Sequence, residues 1–154
     1  MEKLKLDIKG LHEYQQNRYP YLLIEYAEEI VPGKSARGYK DLTIDDWWFD
    51  VHFPGDPNMP GALQMEAMVQ LGALMVTTLP GNKGRVVYLT SAKLKLIKKV
   101  IPGDRLDIQT KLLSWKRGMG KCSASGYVKN EKVCSLDFNI VMPHILKEYK
   151  VIKK

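Results

Sequence analysis

From His52 to Gln70 the chain reads HFPGDPNMPGALQMEAMVQ. This stretch sets two proton-handling side chains among apolar ones. His52, between Val51 and Phe53, is a candidate base, because imidazole is the side chain that exchanges a proton near neutral pH. Glu66 interrupts a run that is otherwise almost wholly apolar. A carboxyl placed there is expensive to ionise, and burial moves its pKa up toward the range useful for proton transfer. Gln70, four residues on, shares the helical face of Glu66. Gly61 opens the same helix, where a free backbone N–H backed by the helix dipole can hydrogen-bond a carbonyl oxygen that gains negative charge. A base, an acid and an oxyanion donor around an apolar slot suit removal of a proton α to a thioester carbonyl with loss of a β-substituent. The plainer alternative stays open on these residues alone. His52 could be a core histidine satisfied by a backbone carbonyl, and Glu66 could be half of a buried ion pair with a lysine.

The elements that must position these residues follow from patterning. The loop over 53–61 carries Pro54, Pro57 and Pro60, and proline is tolerated in a first helical turn. From Pro60 the pattern predicts a helix of about 19 residues, roughly 28 Å long. Its apolar residues point in every direction, which calls for burial on all sides. One sheet covers one side, so a partner subunit is the expected cover for the rest. Ahead of it, Ile8 to Gln16 reads as a short helix, 19–31 and 33–43 as strands across a Pro32-Gly33 turn, and 43–49 as a short helix capped by Thr43 or Asp45. Beyond Pro80-Gly81, strands are expected over 85–100, 104–116, 120–129 and 132–142. Lys93 and Lys95 alternate with Leu94 and Leu96 as in a half-buried strand. The expectation is a single α+β domain over 1–154, a curved antiparallel sheet wrapped around one long helix.

Composition narrows the function classes. With 45% hydrophobic and 27% charged residues in 154, the chain can bury a core. The start MEKLKLDIKG is too charged for a secretory signal, and Gln64, Glu66 and Gln70 break the longest apolar run, so no membrane span is expected and a cytoplasmic location is. Cys122 and Cys134 flank a hairpin turning near Asn130-Glu131. Pairing Tyr127 with Cys134 and Cys122 with Asn139 leaves no cross-strand disulfide. Residues 1–81 hold 7 Lys/Arg against 12 Asp/Glu, and residues 82–154 hold 17 against 5. The basic half is either the wet face of strands or a surface for an acidic partner. No recognition helix, RNP-like motif or zinc-finger spacing accompanies it, so nucleic acid is not expected.

Residues 49–70, FDVHFPGDPNMPGALQMEAMVQ, closely resemble the signature of the β-hydroxyacyl-acyl carrier protein dehydratases of fatty acid synthesis, approximately FFxGHFPxxPxxPGVLxxEAMAQ. RYPYLLIE (18–25), KDLT (40–43) and VIPGDRL (100–106) extend the match. The resemblance implies a hot-dog fold and a homodimer, often assembled as a trimer of dimers. It implies an active site at the dimer interface, with the histidine of one subunit facing the glutamate of the other. His52 would remove the α proton of a (3R)-3-hydroxyacyl thioester, and Glu66 would help the β-hydroxyl leave as water. Gly61 would polarise the carbonyl and Gln70 would orient Glu66. Phe53 and Tyr88 would line the acyl site, Tyr88 at the tunnel mouth or, equally, as a strand core residue. The reaction would use no cofactor and no metal. Acyl carrier protein, which is acidic, would be the partner, with Arg85, Lys98, Lys99 and Arg105 as candidate contacts.

The chain departs from the pattern in places. Asp50-Val51 replaces a polar residue and glycine ahead of the histidine, Lys98-Lys99 replaces Arg/Lys-Pro, Ala62 a bulkier valine, and Asn17 a histidine. Two other readings survive. A hot-dog acyl-thioesterase would need an acidic residue aimed at water on the thioester carbonyl, and the HFPG…PG…E set argues against it. A non-catalytic acyl-binding subunit has Val51 as its only support.

Overall fold

The structure, a computed structural model, describes residues 2–152, with side chains described for residues 2–148. In chain order the elements are β1 (Leu4–Leu6), α1 (Ile8–Tyr14), β2 (Tyr26–Val31), β3 (Ser35–Asp41), a 3-10 turn (Trp47–Asp50), α2 (Gly61–Thr77), β4 (Tyr88–Leu96), β5 (Arg105–Lys116), β6 (Met119–Val128), β7 (Glu131–Val141) and α3 (Pro143–Ile152). The seven strands form one antiparallel sheet in the order β1-β2-β3-β5-β6-β7-β4. The sheet curves over α2, which packs chiefly on β3 and β5. At 17 residues the helix is about 26 Å long. At its C-terminal end the carbonyl of Met75 accepts from Gly33 N at 2.7 Å, and the turn that delivers this N–H has Gly33 at φ +75°, a conformation glycine adopts without strain.

Several sequence expectations are corrected. The strand expected over 19–31 is confined to Tyr26–Val31, because backbone groups of residues 21 and 23 bond the Gln70 side chain instead of a ladder. No helix spans 43–49. Asp46 caps backward, its carboxylate accepting from Thr43 N at 2.9 Å, and only Trp47–Asp50 forms a 3-10 turn. The strand over 85–100 shortens to Tyr88–Leu96; past it both Ile97 N and Lys98 N donate to the Val133 carbonyl, which ends the ladder. The β6–β7 turn falls at Lys129-Asn130, both at positive φ. A bulge at Gly126/Tyr127 sets Gly126 opposite Cys134 and Cys122 opposite Phe138, and both cysteines are free and buried.

The helix also differs from expectation. It is buried almost all round within its own chain, because α1 supplies Leu11, the 3-10 turn Trp48 and Phe49, and irregular segments Leu23, Ile24 and Met59 to the core. Only Gly61, Ala62, Met65 and Glu66 keep appreciable exposure. The uncovered surface lies instead on β4. As the last strand in the sheet it has one unpaired edge, and Leu96, expected to be half-buried, is 56% exposed. Among the described residues no helix is long and apolar enough to cross a membrane.

Candidate active site

Glu66 sits on the first half of α2, half-buried. Desolvation raises its pKa above the ordinary carboxylate value, and the hydrogen bond from Gln70 offsets part of that rise. Gln70 Nε2 donates to Glu66 Oε1 at 3.1 Å and to the Tyr21 carbonyl at 2.7 Å, while its Oε1 accepts from Leu23 N at 2.8 Å. A backbone N–H only donates and a carbonyl only accepts, so the amide has one workable orientation, and it turns its N–H groups toward Glu66. Burial, and next the charge of Glu66, push the Tyr21 phenol above its usual pKa. Gln70 therefore ties the carboxyl to the 21–23 segment. No lysine pairs with Glu66 among the described residues, and the partner is the neutral amide.

His52 is held by the proline loop. Its N–H donates to the Trp48 carbonyl at 2.8 Å, and its own carbonyl accepts from Asn58 N at 3.0 Å. Its Nδ1 lies 3.0 Å from the Asn58 carbonyl. That oxygen can only accept, so Nδ1 carries a proton, and in the neutral ring Nε2 is the nitrogen with the free lone pair. Satisfaction by a backbone carbonyl is thus real, yet the ring is not a core residue. It is half-buried, and its neighbours Val51 and Phe53 are 65% and 51% exposed. The His52–Phe53 peptide is cis and the two rings stack at 4.1 Å. Val51 lies at φ −112°, ψ −11°, outside the positive-φ region that favours glycine, so this backbone does not demand glycine. The side chain of Asp50 is exposed.

Gly61 begins α2 after Pro60, and among the described residues no group accepts its N–H. A Cβ at this position would run into the Leu96 side chain, so glycine lets β4 close on the helix start. The same contact shows that the end of β4 lies beside the start of α2.

In a single chain the two proton-handling residues line different cavities. Glu66 and Gln70 border one of about 310 Å³, with Val69, Ala73, Thr77 and Tyr88 among its walls. His52 and Gly61 border another of about 370 Å³, with Gln64, Leu96 and Ile97. Phe53 lines neither cavity, and Tyr88, 58% exposed, is a rim residue rather than strand core. The sequence reading missed Asn58, Tyr21, Gln64 and Thr77. Gln64 carried a signal, as a polar residue within the same apolar run as Gln70; the others did not. Of the basic candidates, Lys98 and Lys99 line the His52 cavity and pair with Glu131 and Asp56 on the surface. Arg85 lines the Glu66 cavity. Arg105 lines neither, being clamped on Asp41 through two hydrogen bonds and stacked on Tyr39.

Comparison with known proteins identifies the family. The family model described as FabA-like domain matches residues 16–137. A 3-hydroxyacyl-[acyl-carrier-protein] dehydratase FabZ of Clostridium novyi is 39% identical, over 89% of this chain and 99% of its own. The enzyme of the same name from Caldicellulosiruptor saccharolyticus is 41% identical, over 83% and 92%. Among solved structures, the dehydratase heterocomplex ApeI:P from Xenorhabdus doucetiae matches at TM-score 0.75 and 16% identity, covering 94% of this chain and 97% of that one. A hypothetical thioesterase with coenzyme A from Streptococcus pneumoniae matches at 0.61 and 14%, covering 75% and 83%. These two likenesses establish the hot-dog fold and, since both a dehydratase and a thioesterase carry it, nothing about chemistry. The sequence relatives supply that distinction: the chain belongs to the FabA-like family and, within it, to the 3-hydroxyacyl-[acyl-carrier-protein] dehydratases.

Proposed function

We propose that this chain converts (3R)-3-hydroxyacyl-acyl carrier protein to the trans-2-enoyl thioester, and that each active site joins His52 of one subunit to Glu66 of another in a homodimer. The observation that carries the shared site is the separation of the two residues into different half-open cavities. Each is bordered by exposed apolar residues, Tyr88 at one and Leu96 and Ile97 at the other. Exposed apolar surface next to an unpaired sheet edge is what a second copy would cover.

In this reading Nε2 of His52 takes the α proton. The electron pair moves toward the thioester carbonyl, whose oxygen the Gly61 N–H stabilises as it gains charge. Collapse of that enolate forms the double bond and expels the β-oxygen, which takes a proton from the Glu66 carboxyl, directly or through a bound water, and leaves as water. A carboxyl that must donate has to be protonated, and the raised pKa of Glu66 supports that role. Phe53 and Tyr88 would shield the acyl chain. Lys98, Lys99 and Arg85, at the two cavities, are better placed than Arg105 to meet an acidic carrier.

The test is a dehydration assay on 3-hydroxyacyl-carrier substrates of several lengths, following enoyl product by mass. His52→Ala and Glu66→Gln should each lower kcat by about a hundredfold to ten-thousandfold, as loss of general acid–base catalysis does. Wild type that binds acyl carrier protein but forms no enoyl product at any length would instead make the protein an acyl-binding subunit.

A further inference from the structure

Two short stretches that carry the family resemblance, RYPYLLIE (18–25) and KDLT (40–43), supply none of the proposed reacting groups. The structure brings the end of the first onto the start of the second. Lys40 Nζ donates to Glu25 Oε1 at 2.7 Å and to the Asp41 carbonyl at 3.0 Å, and it lies 3.6 Å from Asp46 Oδ1. The Lys40 and Asp46 side chains are 12% and 18% exposed, whereas that of Glu25 is 41% exposed. An ion pair withdrawn from water to this degree adds little net stability, because both charges must be desolvated to form it. Stability alone does not account for the pair.

The contacts of Asp46 supply a reason. Its Oδ2 accepts from Thr43 N at 2.9 Å, and its carbonyl accepts from Phe49 N at 3.1 Å. It heads the 3-10 turn Trp47–Asp50, and the Trp48 carbonyl of that turn accepts from His52 N at 2.8 Å. A continuous set of contacts thus runs from Lys40 through Asp46 and the turn to the backbone of His52. We infer that Lys40 is a positioning residue for the base: by neutralising Asp46 it fixes the head of the turn that carries His52. The inference rests on the shared site proposed above. Loss of the ammonium acts unequally on its two carboxylate partners. Glu25 can turn into water. Asp46 would be left a desolvated anion, and it gains water only if the turn moves.

The shared site makes the two sides separable. In a mixed dimer of one His52→Ala chain and one Glu66→Gln chain, the working site takes its base from the Glu66→Gln chain and its acid from the other. Lys40→Met, or the milder Lys40→Gln, is placed in one chain or the other, and kcat and KM are measured on a 3-hydroxyacyl-carrier substrate. Both placements carry the same loss of stability, so the difference between them reports position. In the base-donating chain the substitution should lower kcat about tenfold to a hundredfold with KM unmoved. In the acid-donating chain it should leave kcat unmoved. Adding Asp46→Asn to the affected chain removes the unpaired anion and should restore most of the loss. Equal losses from both placements, or no loss from either, in a mixed dimer otherwise active, would overturn the role of Lys40 and leave the shared site intact. A mixed dimer inactive with Lys40 in both chains would overturn the shared site and this inference with it.

Discussion

Around Glu66 the supporting polar groups are satisfied within one chain, since Gln70 bonds the carboxyl, the Tyr21 carbonyl and the Leu23 N–H together. Around His52 the backbone is equally well tied, by Trp48 and Asn58, but the surface is unfinished. Val51, Phe53, Leu96 and Ile97 all stand more than half exposed. Under the proposed mechanism, the acid would be prepared by burial inside its own subunit, and the base would be oriented there and enclosed by another surface. On that proposal a second copy would meet the site at β4 and the proline loop, where the apolar residues are exposed.

The contrast can be broken most severely at the unfinished side. Ile97 is 58% exposed in one chain, so Ile97→Glu should leave the fold of a subunit within about 0.5 kcal/mol while placing a charge where a second copy is expected. We expect a monomer by light scattering, native-like circular dichroism, and at least a hundredfold loss of dehydration. A dimer of normal mass would show that β4 is not the face that pairs.

On the finished side, Gln70→Leu should act on stability first. It leaves the Leu23 N–H buried without an acceptor, a loss of about 1–3 kcal/mol by chemical denaturation. It also removes the hydrogen bond that lowers the Glu66 pKa, so the ionisation of Glu66, followed by carboxyl NMR, should move to higher pH. An unchanged titration would mean that Gln70 does not act through the carboxyl.

The smallest effect is a pH dependence. Because the Glu66 pKa is raised on folding, the native state binds more protons than the unfolded chain. Stability contributed by this group is therefore full below the ordinary carboxylate pKa and declines as pH rises through the raised value. Glu66→Gln removes that decline. Its Tm relative to wild type should be highest near neutral pH, fall as pH drops through the raised pKa of Glu66 toward the ordinary carboxylate value, and level off below that; a difference independent of pH would contradict the burial of an ionisable group there.

How far these features could be read in advance depended on what carries them. His52, Glu66 and Gln70 could be singled out as candidates because polar and proton-handling side chains in an apolar run are costly and so call for a reason. Asn58 and Tyr21 were not, since both act through backbone carbonyls, and residue type says little about where a carbonyl points. The same holds for the fold. The long strands and α2 announced themselves by periodicity. The three-residue β1 was too short to do so, and α3 lay beyond the last strand in a segment rich in lysine. The cover of α2 was assigned to a partner because Leu23, Ile24 and Met59 belong to irregular segments that show no pattern. The β6–β7 register slipped by one because a bulge at Gly126 depends on contact, here with the Cys134 thiol, rather than on alternation.

The shared site is the central claim, and complementation in mixed dimers tests it most directly. Chains carrying His52→Ala and chains carrying Glu66→Gln, each inactive alone, would be co-assembled and the heterodimer isolated by paired affinity tags. If each site draws its base and acid from different subunits, one of the two sites in every heterodimer is wild type, and about half of the native kcat should return. A heterodimer of native stability with no dehydration above the single variants would contradict the account, because it would mean that His52 and Glu66 must come from one chain.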